Sequence, residues 1–137
     1  MKFCALLILA LSVGCSSEQG DSLDVCAERR GTYQVKYSYQ DGTCSAPANE
    51  IVSLSSQPTT ESIKALGCTG PIDYSADNCM SSCDTMCPAA NGGVVRTVGQ
   101  ASWTRDAKSG TAIERKTVFL NGIQTCSGRI KAVWEKI

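Results

Sequence analysis

Three cysteines at four-residue intervals, Cys79, Cys83 and Cys87, form the constellation in this sequence best able to do chemistry. Three thiolates with Met80 and Met86 beside them make a sulfur-only donor set suited to Cu(I). The absence of histidine fits sulfur-only ligation. Zinc sites more often use a two-residue spacer, which this segment lacks. The competing reading is a disulfide framework. On a helix the spacing lines all three sulfurs along one face. Parallel side chains are poorly oriented to bridge one another, so each would reach outward to Cys26, Cys44, Cys68 or Cys126. A chain this rich in cysteine favours bridges wherever its compartment is oxidising. No metal or cofactor is therefore assigned, and Cu(I) on Cys79, Cys83 and Cys87 remains the lesser alternative.

Other catalytic arrangements fare worse. Without histidine there is no Ser-His-Asp or Cys-His set. Neither a G-x-S-x-G elbow, nor S-x-x-K, nor a phosphate-binding glycine loop occurs. Ser62-Ile63-Lys64 brings a serine near a lysine without making a dyad. A glycosidase carboxylate pair leaves no spacing signature, and no acidic residue stands out for that role. No catalytic residue is assigned, and the chain reads as a non-enzyme. Tyr33, Tyr37 and Tyr39 with Trp103 and Trp134 offer a different chemistry, an aromatic lining for a small apolar ligand as in lipocalin-like barrels. The same stripe would equally serve as the packed core of a small β domain.

The elements that must position these residues are mostly strands. Thr32 to Gln40 alternates, with Tyr33, Val35, Tyr37 and Tyr39 on one face. Glu50 to Leu54 is a shorter strand, and Val94 to Thr104 places Ala101 and Trp103 on one side. Asn121-Gly122 between two β-rich runs is a hairpin signal, since a type I′ turn needs positive φ at both central residues. A two-residue loop pairs Leu120 with Ile123, which sets Thr117 opposite Cys126, Ile113 opposite Ile130 and Glu114 opposite Arg129. The core face of that hairpin is then Ile113, Thr117, Phe119, Cys126, Ile130, Ala132 and Trp134, with Arg115 having to snorkel or pair. Thr60 to Leu66, with Thr60 as N-cap and Gly67 as stop, reads as one short helix. Residues 67–93 show little periodicity and read as a cysteine-rich insertion tied down by bridges. The expected fold is mainly β: a small antiparallel sandwich or partly open barrel with that insertion and one short helix.

The N-terminus carries an address. Lys2 precedes an uncharged apolar run from Phe3 to Val13, eleven residues, about half of what spans a bilayer as a helix. Leu11-Ser12-Val13-Gly14-Cys15 resembles the lipobox of bacterial lipoprotein signals, with Leu one residue earlier than that family prefers. The resemblance implies cleavage before Cys15, a diacylglycerol on its sulfur and acylation of the new amino group. Ser16 after it implies, in that family, transport to the outer membrane of a Gram-negative bacterium. Multiple acyl chains make such an anchor stable. The alternative is ordinary cleavage at the same bond, giving a secreted or periplasmic chain. The expected organisation is a signal at 1–14, an anchored tether at 15–25 and a disulfide-stabilised domain at 26–137. It looks like the small cysteine-rich envelope lipoproteins, whose role is binding or structural.

Seven cysteines lie beyond Cys15, so lipidation leaves three bridges and one spare thiol. Charge is near balance, with 13 basic and 13 acidic residues, which gives no nucleic-acid signature. Residues 15–87 nonetheless hold 10 acidic and 4 basic side chains, and residues 88–137 hold 3 and 8. Two halves that neutralise each other explain this more simply than a face for an anionic polysaccharide or lipid. The partner beyond the membrane itself, an envelope protein, polysaccharide or small apolar ligand, is not specified by sequence.

Overall fold

The structure, a computed structural model, describes residues 25–137. The signal at 1–14 and almost all of the tether, including Cys15, lie outside the described residues. In order along the chain come β1 (Gly31–Gly42), β2 (Glu50–Leu54), α1 (Thr60–Lys64), β3 (Ile72–Ser75), β4 (Met80–Pro88), β5 (Val94–Trp103), β6 (Ser109–Leu120) and β7 (Ile123–Lys136). All seven strands join one antiparallel sheet in the order β2-β1-β7-β6-β5-β4-β3. The sheet curls into a half-barrel. The partly open barrel is thus the form realised, and among the described residues no second sheet stacks on it as a sandwich would require.

Alternation explains the tyrosine strand. Tyr33 and Val35 are fully buried, and the inner face of the curl pairs Val35 with Trp134, Tyr37 with Ala132 and Tyr39 with Ile130 of β7. Val35, Ala112 and Ala132 form the core cluster, flanked by Tyr37, Val52, Ala101 and Trp134. Burying a side chain such as Val35 or Ile130 contributes about 1.5–3 kcal/mol. At one end Tyr33, Trp103 and Trp134 meet, with ring centroids 5.6–6.0 Å apart. The Tyr33 hydroxyl donates to the Ala107 carbonyl at 2.8 Å, fastening the β5–β6 turn to β1.

The C-terminal hairpin turns where expected, with φ of 51° at Asn121 and 76° at Gly122. Leu120 pairs with Ile123, and Phe119 with Gln124. Then the register shifts. Val118 pairs with Cys126, leaving Thr125 as an extra residue, and its hydroxyl donates to the Val118 carbonyl at 3.2 Å. A bulge of this kind displaces every later pair by one. Thr117 therefore faces Ser127, Glu114 faces Ile130 and Arg115 faces Arg129. The expected pairs Thr117–Cys126, Ile113–Ile130 and Glu114–Arg129 do not form. On β6 the inner face is Gly110, Ala112, Glu114, Lys116 and Val118, because a one-residue slip exchanges the two faces. Arg115 escapes to the outside and pairs with Asp41 at 3.1 Å.

Two further expectations are corrected. Residues 67–93 are not a sheet-free insertion, since β3 and β4 complete the sheet within them. The helix, Thr60–Lys64, is shorter than expected and its N-cap lies one residue earlier. Thr59 is its N-cap, accepting from the Ser62 amide, while the Ser62 hydroxyl accepts from the Thr59 amide. Ser62 is thus a capping residue, and Lys64 pairs with Glu61.

Residues 55–71, including α1, lead from β2 at one edge of the sheet to β3 at the other. Both edge strands are short, which limits the unpaired backbone they expose. The acidic and basic halves do meet: Arg96 pairs with Asp84, and Arg115 with Asp41.

Candidate functional site

The inner face of the half-barrel is where the structure concentrates its unusual chemistry. Small residues make room there. Gly99, Ala101 and Ala112 occupy neighbouring inner positions on β5 and β6. A Cβ at Gly99 would stand 2.7 Å from the Ile113 carbonyl oxygen and 2.8 Å from Glu114 Cγ, so only glycine fits. Gly110 is required for a related reason, because a Cβ there would lie 2.5 Å from the Trp103 ring. The space left is a cavity of about 170 Å³. Trp103, Trp134, Leu54, Pro58 and Ile72 give it apolar walls.

Six polar side chains interrupt that lining, Arg29, Ser81, Ser82, Cys83, Gln100 and Glu114, and three of them carry unusual chemistry: Arg29, Cys83 and Glu114. Arg29 is only 7 % exposed. Its guanidinium lies 5.0 Å from the Trp103 ring centre and 5.3 Å from that of Tyr74. Its nearest hydrogen-bond acceptor is Ser81 Oγ, at 3.5 Å from Nη1. Its Nε and the Trp103 Nε1 are buried donors without an acceptor among the described residues. Burial pulls the Arg29 pKa below its ordinary value. Glu114 sits 3.8 Å from Lys116, a pair about three-quarters buried.

The cysteines resolve the opening constellation. Cys26 bridges Cys79, Cys44 bridges Cys126 and Cys68 bridges Cys87. Each outer member of the trio does reach outward, but from β4 and its approach, not from a helix. Two of the three thiolates that the alternative copper site would need are consumed, so Cys79, Cys83 and Cys87 do not form it. Among the described residues no cluster of three metal-ligating side chains occurs. Cys83 is left as the free thiol of the described residues. Burial, and then Glu114, pushes its pKa up, while its Sγ lies 3.9 Å from the Thr97 carbonyl. A thiol raised this way is a poor nucleophile.

Comparison with protein-family models, with curated proteins and with solved structures finds no match. The geometry stands alone.

The aromatic residues singled out from the sequence divide. Trp103 and Trp134 line the cavity. Tyr33 is buried beneath them as core. Tyr37 donates to Glu50 Oε1 at 2.6 Å, and burial together with Glu50 raises its pKa. Tyr39 is half exposed and donates to the Gly42 carbonyl. The tyrosine strand thus supports the cavity without lining it. Sequence reasoning missed Arg29, which precedes β1 in a stretch without periodicity. It also placed Glu114 on the outer face, an error the Thr125 bulge explains. The carboxylates whose acidity is displaced, Asp84 and Asp106, are both held below their usual range, Asp84 by Arg96 and Asp106 by Thr104 and the Lys108 amide. General-acid catalysis needs the opposite displacement.

Proposed function

We propose that this chain is a cell-envelope lipoprotein, held to a Gram-negative outer membrane by acyl chains on Cys15, that binds a small apolar molecule and catalyses no reaction. The observation that carries the binding reading is the inner-face cavity, kept open by Gly99, Ala101 and Ala112 and walled by Trp103 and Trp134. Small-molecule sites are concave and mostly apolar with a few placed polar groups, as here. The anchor reading is supported by the cysteine pairing. Three bridges form within the described residues and the remaining thiol is Cys83, so the framework closes without drawing on Cys15. Disulfides of this density belong to oxidising compartments.

Intact mass of the mature protein, with and without alkylation under denaturing conditions, tests the anchor. The expected result is an acylated chain with one alkylatable thiol at Cys83. An unacylated chain with no free thiol would mean a Cys15–Cys83 bridge and would remove the anchor. Both tryptophans of the chain line the cavity, so their emission reports occupancy. Saturable change on adding a small aromatic such as phenylacetamide or phenylacetate supports the binding reading, and failure of neutral and charged aromatics alike refutes it.

A further inference from the structure

Resting on that binding reading, we infer that Arg29 makes the inner-face cavity a receptor for a small carboxylate carrying an apolar ring or short chain. Arg29 is 7 % exposed yet forms no ion pair among the described residues. The acid nearest in sequence, Glu28, pairs instead with Arg30 at 3.1 Å. A buried cation without a counter-charge is costly, and buried charges are otherwise found paired. The rings of Trp103 and Tyr74 offset part of that cost by cation–π attraction and hold the guanidinium against the wall. They give it no acceptor.

A second buried donor belongs to the same wall. Trp103 Nε1, like Arg29 Nε, is a donor lacking an acceptor. Both nitrogens are shielded from the open space, so what the wall offers a ligand is the unpaired charge of the guanidinium, which calls for an acceptor-rich, negatively charged group. A carboxylate fits the flat guanidinium fork better than a spherical anion does. Glu114, also on the wall, repels that head group and sets its direction: carboxylate toward Arg29, apolar body along Trp103 and Trp134. The cavity, about 170 Å³, is close to the size that accepts a single benzene ring.

The test uses the full mature chain and tryptophan emission. Phenylacetate is compared with phenylacetamide, its neutral isostere, and with phenethylammonium, of opposite charge. The expected order is phenylacetate at least tenfold tighter than phenylacetamide, with phenethylammonium weaker than both. Arg29→Gln should abolish the preference, bringing phenylacetate to within about twofold of phenylacetamide. Arg29→Lys should keep part of the preference. Equal affinity of the unaltered chain for phenylacetate and phenylacetamide would overturn this inference while leaving the apolar cavity in place. Failure of every probe to bind would remove the cavity reading as well. The ligand comparison needs no variant, so a misfolded Arg29→Gln would not rescue the inference.

Discussion

Deleting Thr125 should leave the fold standing, whereas deleting Lys131 six residues later in the same strand should destroy it. Thr125 is the unpaired residue of the β7 bulge, so its removal lets Phe119–Gln124 run straight into Val118–Cys126 with no later pair disturbed. What is lost is the hydroxyl contact to the Val118 carbonyl at 3.2 Å, about 0.5–1.5 kcal/mol, and some local twist. A total cost of about 2 kcal/mol or less is expected. Removing Lys131 shifts the residues that follow it by one and exchanges their faces. Val133 then replaces Ala132 in the core, and Glu135 replaces Trp134 against Tyr33 and Trp103. Losing the Trp134 packing costs about 3–5 kcal/mol, and a carboxylate buried in its place costs several more. The sum rivals the whole stability of a typical domain, about 5–15 kcal/mol. Urea unfolding of the oxidised protein, followed by tryptophan emission, measures both variants, and peptide mapping reports the Cys44–Cys126 bridge. A Thr125 deletion that costs more than about 3 kcal/mol or loses that bridge would refute the register argument. So would a Lys131 deletion no worse than it.

Other perturbations follow from the same contacts. Replacing each bridge in turn by a pair of serines should destabilise in the order Cys44–Cys126, Cys26–Cys79, Cys68–Cys87, about 4.5, 4 and 3 kcal/mol. Their sequence separations of 82, 53 and 19 residues set that order through unfolded-chain entropy, and denaturant midpoints would check it. Cys83 should alkylate more slowly than a free cysteine at pH 8 in the native protein. Its pKa is raised, so the thiolate is scarce below the ordinary cysteine pKa, and the rate should keep climbing above it, as timed mass measurement would show. Tyr33→Phe should cost about 1–2 kcal/mol in urea unfolding, because it leaves the Ala107 carbonyl without its hydroxyl donor.

Sequence legibility followed pattern contrast. β1 was readable because Tyr33, Val35, Tyr37 and Tyr39 alternate with polar residues, and the hairpin because Asn121-Gly122 prescribes its turn. β4 was not. Its inner residues are Ser81, Cys83, Thr85 and Cys87, while Met80 and Met86 point outward, so hydrophobicity alternates the wrong way. Two bridges and a small cavity let an inner face be polar. The bulge was equally silent, since Thr125 is an ordinary strand residue and carries no glycine or proline signal. One unseen residue moved Glu114 from the outside to the cavity wall. The cavity itself is assembled from Arg29, β2, β3, β4, β5, β6 and β7, partners joined only by the curl of the sheet.

The pairing of the cysteines has a consequence for how the molecule matures. In chain order the cysteines of the fold run Cys26, Cys44, Cys68, Cys79, Cys83, Cys87, Cys126, and no native bridge joins neighbours in that series. On the proposed export route, a chain delivered from its N-terminus into an oxidising space would present Cys26 and Cys44 together long before either partner arrived. Cys44 must wait for Cys126, eleven residues from the C-terminus, and β1 must wait for β7. Oxidation faster than delivery therefore traps a wrong crosslink, which only thiol exchange can undo. Correct maturation by that proposed route would depend on a shuffling catalyst, or on oxidation slow enough to follow emergence of Cys126.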